Sequence, residues 1–193
     1  MAKRPLPTPE QLRQLLSYDP QEGVFFWKAR GLEWFKDGPR NYCAERNSAI
    51  WHTRYEGSPA LASSKGRGYL GGTVLGVSIR AHIAAWAIHY GEYPKLWLDH
   101  INGDRADNRI ANLREVTPSE NARNACRPNH NSSGFLGVSF RSRHSKKPWR
   151  AYIRVGGKSR ELGQFKTFEE AAAARKAAES KHGYHPNHGR AAK

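Results

Sequence analysis

The 193-residue chain reads as an α+β protein made of more than one module. Three observations carry that reading. A strand, turn, strand, helix path runs from Trp97 to Asn121; a second block, from Gly134 to about Pro186, alternates in the manner of strands before an alanine-rich helix; and the polar stretch Arg123 to Ser133 separates them without periodicity. The expected division is an N-terminal α+β accessory region at 1–68, a region at 69–128 whose strand, turn, strand, helix path carries the chemistry, a linker at 129–133, and a three-stranded antiparallel sheet packed on one helix at 134–188.

A hydrophobic content of 38% with six Trp suffices for buried cores and excludes a disordered chain. The net charge of +15 calls for a polyanionic partner, nucleic acid first, although ribosomal or membrane-surface binding would give the same sum. That charge is uneven: residues 129–193 carry 14 Lys and Arg against 4 Asp and Glu, whereas 81–128 carry 6 against 6. The segment with the chemistry is therefore neutral, and its affinity for a polyanion is expected from its neighbours. Cys43 and Cys126 are too few for a zinc cluster or a disulfide framework, which points to a reducing compartment. No apolar run reaches membrane length, and Met1-Ala2-Lys3-Arg4-Pro5 leads into helix-start signals rather than a signal peptide, so a cytoplasmic location is expected.

Thr8-Pro9-Glu10-Gln11 is a capping box, and Leu12, Leu15 and Leu16 define a short amphipathic helix ending before Asp19-Pro20. A turn and Gly23 lead into a strand at Val24-Phe25-Phe26-Trp27. Residues 28–65 mix Trp34, Phe35, Tyr42, Trp51 and Tyr55 with Arg, Gly and Pro without clean periodicity. Such a mixture serves ordinary core and surface more often than it clamps single strands by stacking.

Tyr69 to Ile79 alternates as a hairpin reversing at Gly71-Gly72 or Gly76, and Ala81 to Tyr90 is a helix closed by Gly91. His82, Trp86 and His89 fall at near-helical spacing; packing that braces the next segment is preferred to a catalytic or metal role for the two His. Trp97-Leu98 then approaches Asp99-His100 as a strand, Asn102-Gly103-Asp104 turns the chain, and Leu113 to Val116 is the second strand. Thr117-Pro118-Ser119-Glu120 is a further capping box, so a helix starts at Pro118 with Asn121 in its first turn. A carboxylate at Asp99 and an amide carbonyl at Asn121 are hard oxygen donors that suit magnesium or manganese better than zinc. His100 has the side chain that takes a proton near neutral pH.

Asp99-His100-Ile101-Asn102-Gly103-Asp104, Asp107-Asn108-Arg109-Ile110, Asn112-Leu113-Arg114 and Glu120-Asn121 together resemble the HNH homing-endonuclease motif of phages and mobile introns, folded as a ββα-metal finger. The resemblance covers about a quarter of the chain. It implies that His100 is the general base activating a water, that Asp99 and Asn121 hold one divalent cation, Mg2+ or Mn2+, and that Asn112 holds the loop in shape, grouped with His100 as catalytic machinery. Asn121 stands where many relatives carry His. The Tyr18-Asp19-Pro20 and Gly23-Val24-Phe25-Phe26-Trp27 phrases also resemble the openings of phage HNH proteins, which places the protein in a bacterial or phage-infected cell.

In the last module Val138 and Phe140 share one face of a strand, with Ser139, Arg141 and Arg143 on the other; Ala151, Ile153 and Val155 share a face opposite Arg150, Tyr152 and Arg154. Gly156-Gly157 turns the chain into Lys158 to Phe165, and Thr167-Phe168-Glu169-Glu170 caps a helix running to about His182. Gly137-Val138, Trp149 to Arg154, Leu162 to Phe165 and Glu169 to Ala172 resemble the plant Apetala-type (ethylene-response-factor) DNA-binding domain. That resemblance implies a sheet laid in the major groove, with Arg141, Arg143, Arg150, Tyr152, Arg154 and Arg160 as candidate DNA contacts. Leu136 and Ser139 replace the arginines usual in the plant domains, and Glu161 replaces a frequent Trp. Trp149 shares parity with Ala151 and Ile153 and is assigned to the core.

The expected function is a metal-dependent endonuclease of the homing or mobile-element kind acting on double-stranded DNA, with neither a membrane nor a small-molecule substrate as partner. The alternatives are a DNA-binding regulator with an inactive or structural finger and, more distantly, a basic RNA-binding or ribosome-associated protein.

Overall fold

Thr8 starts the fold. In the computed structural model, which describes residues 4–38, 43–124, 131–186 and 188–189, its hydroxyl accepts from the Gln11 N–H at 3.1 Å while the Gln11 side chain accepts from the Thr8 N–H at 2.8 Å. Helix α1 (Pro9–Leu15) follows, burying Leu12 and Leu15. Tyr42, Cys126 and Asn129-His130 of the expected linker lie outside the described residues. The chain forms two compact units, Met1–Val116 and Thr117–Lys193, and its architecture is α+β with several small antiparallel sheets.

In the first unit the backbone becomes extended at Leu16 with no loop after α1. A strand that sequence reading did not foresee, β1 (Leu16–Asp19), pairs antiparallel with β2 (Val24–Trp27). Asp19 Oδ1 accepts from the N–H groups of Gln21 and Glu22 and so closes the intervening turn. The stretch 28–65, which shows no clean period, nevertheless contains α2 (Ala44–Tyr55) and the two-residue strands β3 (Pro59–Ala60) and β4 (Ser63–Ser64). Within α2 only Ser48 is buried, and its N-cap makes no side-chain hydrogen bond. A helix without an apolar stripe or a cap leaves little to read in a sequence. Trp27 meets Trp51 edge-on at 6.0 Å, and the Arg30 guanidinium lies 4.0 Å from the Trp51 ring and 4.9 Å from Trp27, so this arginine is engaged in aromatic packing.

The next hairpin, β5 (Leu70–Val74) and β6 (Val77–Arg80), reverses at Leu75-Gly76, both left-handed, and not at Gly71-Gly72. Gly71 lies inside β5, where a Cβ would collide with the carbonyl of Ile79. Helix α3 (Ala81–Tyr90) starts directly after Arg80 and ends on Gly91 at φ +79. Strands β7 (Trp97–His100) and β8 (Leu113–Val116) form a two-stranded ladder. Leu12, Leu15, Leu16, Phe25, Val74 and Leu113 belong to one buried cluster, so α1, the hairpins and the ladder share a core.

The second unit opens with α4 (Pro118–Arg123), held by the capping box of Thr117 and Glu120. Its sheet has β10 (Trp149–Val155) between β9 (Val138–Phe140) and β11 (Lys158–Phe165), covered by α5 (Phe168–Lys181). Val138, Ala151 and Ala171 form the buried centre, with Trp149 packed against it as its parity required. Strand β9 stops at Phe140, so Arg141 and Arg143 belong to the loop that follows it; the Arg141 N–H donates to the Pro148 carbonyl across that loop. Phe140 is not buried with Val138. It is exposed, resting edge-on against Trp149 at 5.1 Å. Arg175, which an alanine-rich helix gave no reason to single out, is 4% exposed: Nη1 donates to the Tyr152 carbonyl at 2.7 Å and Nε to Glu179 at 2.8 Å.

Candidate functional site

The β7–β8 ladder sets His100 opposite Leu113 and Asp99 opposite Arg114. Cross-strand partners are close enough to bond, and Arg114 donates to Asp99 Oδ2 from Nη2 at 2.9 Å and from Nε at 3.2 Å. Both Asp99 and His100 are buried. The His100 ring lies 5.1 Å from the ring of His82 on α3, nearly perpendicular to it, and 6.0 Å from Tyr69. His82 is therefore a packing neighbour of His100, in line with the bracing role preferred for it, while His89 is exposed.

Asn112 clasps the loop between the strands. Its Oδ1 accepts from the Asn102 N–H at 2.9 Å, its Nδ2 donates to the Asp107 carbonyl at 2.8 Å, and its own carbonyl accepts from the Ile101 N–H at 2.9 Å. Gly103, at φ +73, returns a hydrogen bond to the His100 carbonyl at 2.8 Å. Asp107 accepts from Arg109 Nη2 and Nε at 2.6 and 2.8 Å and from Asn102 Nδ2 at 2.7 Å. The Arg109 hydrogen bonds, reinforced by Asn102, hold its carboxyl down at about 2 despite partial desolvation.

This loop is braced by residues to which the sequence alone gives no mechanism. The Tyr18 hydroxyl donates to the Asn108 carbonyl at 2.8 Å, and the Ile110 N–H donates to the Pro20 carbonyl at 3.1 Å. Gly23 is buried against the same loop, where a Cβ would overlap the backbone of Asn108 and Arg109. The Tyr-Asp-Pro and Gly-Val-Phe-Phe-Trp phrases, which carried no mechanism as sequence, thus form the hairpin that supports the site loop.

Burial, then the neighbouring His100 and Arg80, lowers His82 to about 3. Burial also lowers His100, against the opposing pull of the Asn108 amide, Asp99 and Asp107. The lowered values favour neutral imidazoles at pH 7, and a neutral imidazole is the form that accepts a proton.

Asn121 occupies the first turn of α4, as the capping box required, but the division between the units falls at Val116–Thr117 and assigns it to the second unit. Among the described residues no group of three or more His, Cys, Asp and Glu stands together as a metal cage. The donor types at Asp99 and Asn121 fit a hard, largely hydrated cation, which needs only one or two protein oxygens.

In the second unit Arg150 pairs with Glu161 at 2.9 Å and lies 5.9 Å from the Tyr152 ring. Arg154 Nε donates to the Gly157 carbonyl at 3.0 Å. The register pairs Tyr152 with Glu161 but Arg160 with Ile153. Paired residues share a face, so Arg160 stands on the opposite side of the sheet from Tyr152 and Arg154.

The ladder and its clasped loop set a histidine and a carboxylate side by side at the end of β7. Residues 80–123 match the family described as HNH endonuclease, a stretch that covers under half of the chain. Over 80 residues the chain is 35% identical to a protein named Protein 3.8 from Escherichia phage T7, a match spanning 41% of this chain and 64% of that protein, so under two thirds of the relative's length is covered. No solved structure matches the chain.

Proposed function

We propose that the protein is a metal-dependent DNA endonuclease of the homing or mobile-element kind, in which His100 deprotonates the water that attacks a backbone phosphate. The single observation that carries this is the Asp99-His100 pair ending β7, its loop clasped by Asn112, inside the segment that matches the HNH family. Asn112 acts here by positioning, since its amide is engaged within the loop. Asp99 and Asn121 are the residues that would hold a Mg2+ or Mn2+ ion; when bound, such an ion supplies charge stabilisation at the phosphate. We assign 69–128 as the nuclease region, 129–133 as linker and 134–188 as an Apetala-like DNA-binding module that contacts the duplex through Arg141, Arg143, Arg150, Tyr152 and Arg154, with Arg160 reaching backbone from the sheet edge.

Supercoiled plasmid incubated with the protein and magnesium is expected to be nicked or linearised, and chelator is expected to stop it. His100→Ala should lower the cleavage rate by about 10²- to 10⁴-fold while leaving DNA affinity intact. Equal rates for His100→Ala and the parent would remove His100 as the base. One observation favours a second reading, a DNA-binding regulator with a structural finger: Arg114 already neutralises Asp99 from two nitrogens. Binding to DNA without metal-dependent cleavage would select that reading.

A further inference from the structure

The HNH segment is electrically neutral as a sequence, yet the first unit gathers cations from outside and inside it around one aromatic ring. The Arg80 guanidinium lies 4.6 Å and that of Arg105 lies 5.0 Å from the centre of the Tyr69 ring, which also lies 5.1 Å from the ring of His82 and 6.0 Å from that of His100. Arg105 Nη1 donates to the Arg67 carbonyl at 2.9 Å, drawing a third arginine into the group. Arg67 sits in the turn Gly66-Arg67-Gly68, where all three residues are left-handed with φ of +79, +52 and +80. The turn is closed by hydrogen bonds between Lys65 and Tyr69 and between Tyr69 and Gly66, so Lys65 flanks it. All four cationic residues are exposed, and among the described residues none forms an ion pair with a carboxylate.

We infer that Lys65, Arg67, Arg80 and Arg105 form a cradle around Tyr69 that holds the backbone phosphates of duplex DNA beside the phosphate cut at His100; this rests on the nuclease reading. Like charges held together repel, and a non-glycine residue in the left-handed region is costly, so folding alone gives no reason for the cluster. A polyanion does: phosphates succeed one another every few ångströms along a strand, and each neutralised phosphate releases counterions. Cation–π contact with Tyr69 fixes two of the guanidinium groups without consuming N–H donors, so that beyond the Arg105 Nη1 donor given to the Arg67 carbonyl their N–H groups remain available for phosphate oxygens. Tyr69 then links the cradle to His100 directly, so a strand gripped there passes the proposed base.

The test uses the full-length chain in a His100→Ala background, without divalent cations, and measures binding to a short random duplex over a range of salt concentrations. Arg67→Gln, at the turn tip and away from the Tyr69 ring, should lower the slope of log affinity against log salt by about one unit, and the Arg67→Gln Arg105→Gln double variant by about two. In the cleavage-competent protein the same substitutions should raise KM several-fold while kcat stays within about threefold, the pattern of lost uniform binding. Melting curves separate loss of the cradle from loss of the fold, since Arg67→Gln should melt with the parent. Unchanged slopes and KM in a protein that cuts plasmid would overturn the cradle and leave the nuclease standing. Reduced slopes in a protein that never cuts would uphold the cradle as a DNA surface and sink the nuclease. Single-stranded RNA competing as strongly as duplex would overturn the assignment to duplex DNA.

Discussion

The unit Met1–Val116 carries 16 Lys and Arg against 12 Asp and Glu, and the unit Thr117–Lys193 carries 16 against 5. Their interiors differ as much as their charge. The first unit buries leucines from a helix, a hairpin and the β7–β8 ladder in one cluster, and apart from Ser48 of α2 its buried polar residues, His82, Asp99, His100, Asn108 and Asn112, gather at the candidate site. The second has a small centre of Val138, Ala151 and Ala171 under a ring of aromatics. Arg175 is buried beside that centre, tying α5 to β10 through the Tyr152 carbonyl. The two units therefore tolerate different changes. In the first, apolar volume holds the fold and buried polar groups are spent on the loop; in the second, a buried cation holds the fold and the exposed sheet face is left to charge.

The largest expected effects break this contrast at its cores. Arg175→Ala removes a buried guanidinium and leaves the Tyr152 carbonyl and the half-buried Glu179 without it, and should cost about 3 to 5 kcal/mol, visible as early loss of the second unit in chemical denaturation. Leu15→Ala, at a fully buried position, should cost about 2 to 5 kcal/mol through the cavity it leaves, and should weaken the first unit instead. If both variants melt the same transition, the two units fold as one and the contrast between them fails.

Acid should act first on the first unit. His82 is held at about 3 in the fold, below the ordinary histidine value of about 6.5. The unfolded chain therefore binds more protons between those values, and stability present above pH 6.5 is lost as pH falls through that window. Asp107, held at about 2 chiefly by Arg109, adds a second loss below the ordinary carboxylate range. A His82→Phe variant should flatten the fall of Tm between about pH 6.5 and 4; an undiminished fall would show that other groups carry it.

Smaller effects sharpen the charge side of the comparison. Arg154→Ala should lower the salt slope of DNA binding by about one unit if it contacts phosphate, or relax preference at one base position at a cost of about 1 to 3 kcal/mol if it reads guanine. Glu161→Gln removes the carboxylate that pairs with Arg150 across the sheet. It should raise DNA affinity by only a few-fold, because an exposed pair is worth about 1 kcal/mol or less. A fall in affinity would mean that Glu161 orients Arg150 for contact.

The sequence by itself determined the elements whose signals are local. Three capping boxes, at Thr8, Thr117 and Thr167, start helices where their side chains close on the backbone three residues ahead. Gly91 ends α3, and period-two alternation marks β10 with Ala151 and Ile153 inward. Asp99 and His100 at the end of a strand and Asn121 in the first turn of a helix were legible because strand, turn and cap signals fix neighbours along the chain. Tertiary structure alone decided what distant residues do to these. That Arg114 occupies Asp99, that His82 and Tyr69 pack on His100, and that Tyr18, Pro20 and Gly23 brace the site loop are contacts between segments up to about ninety residues apart. None of these contacts leaves a period or a dipeptide to read. Helix α2 and strand β1 escaped for a related reason: the first lacks an apolar stripe and a cap, and the second is extended through pairing with β2, a partner that no property of Leu16–Asp19 names.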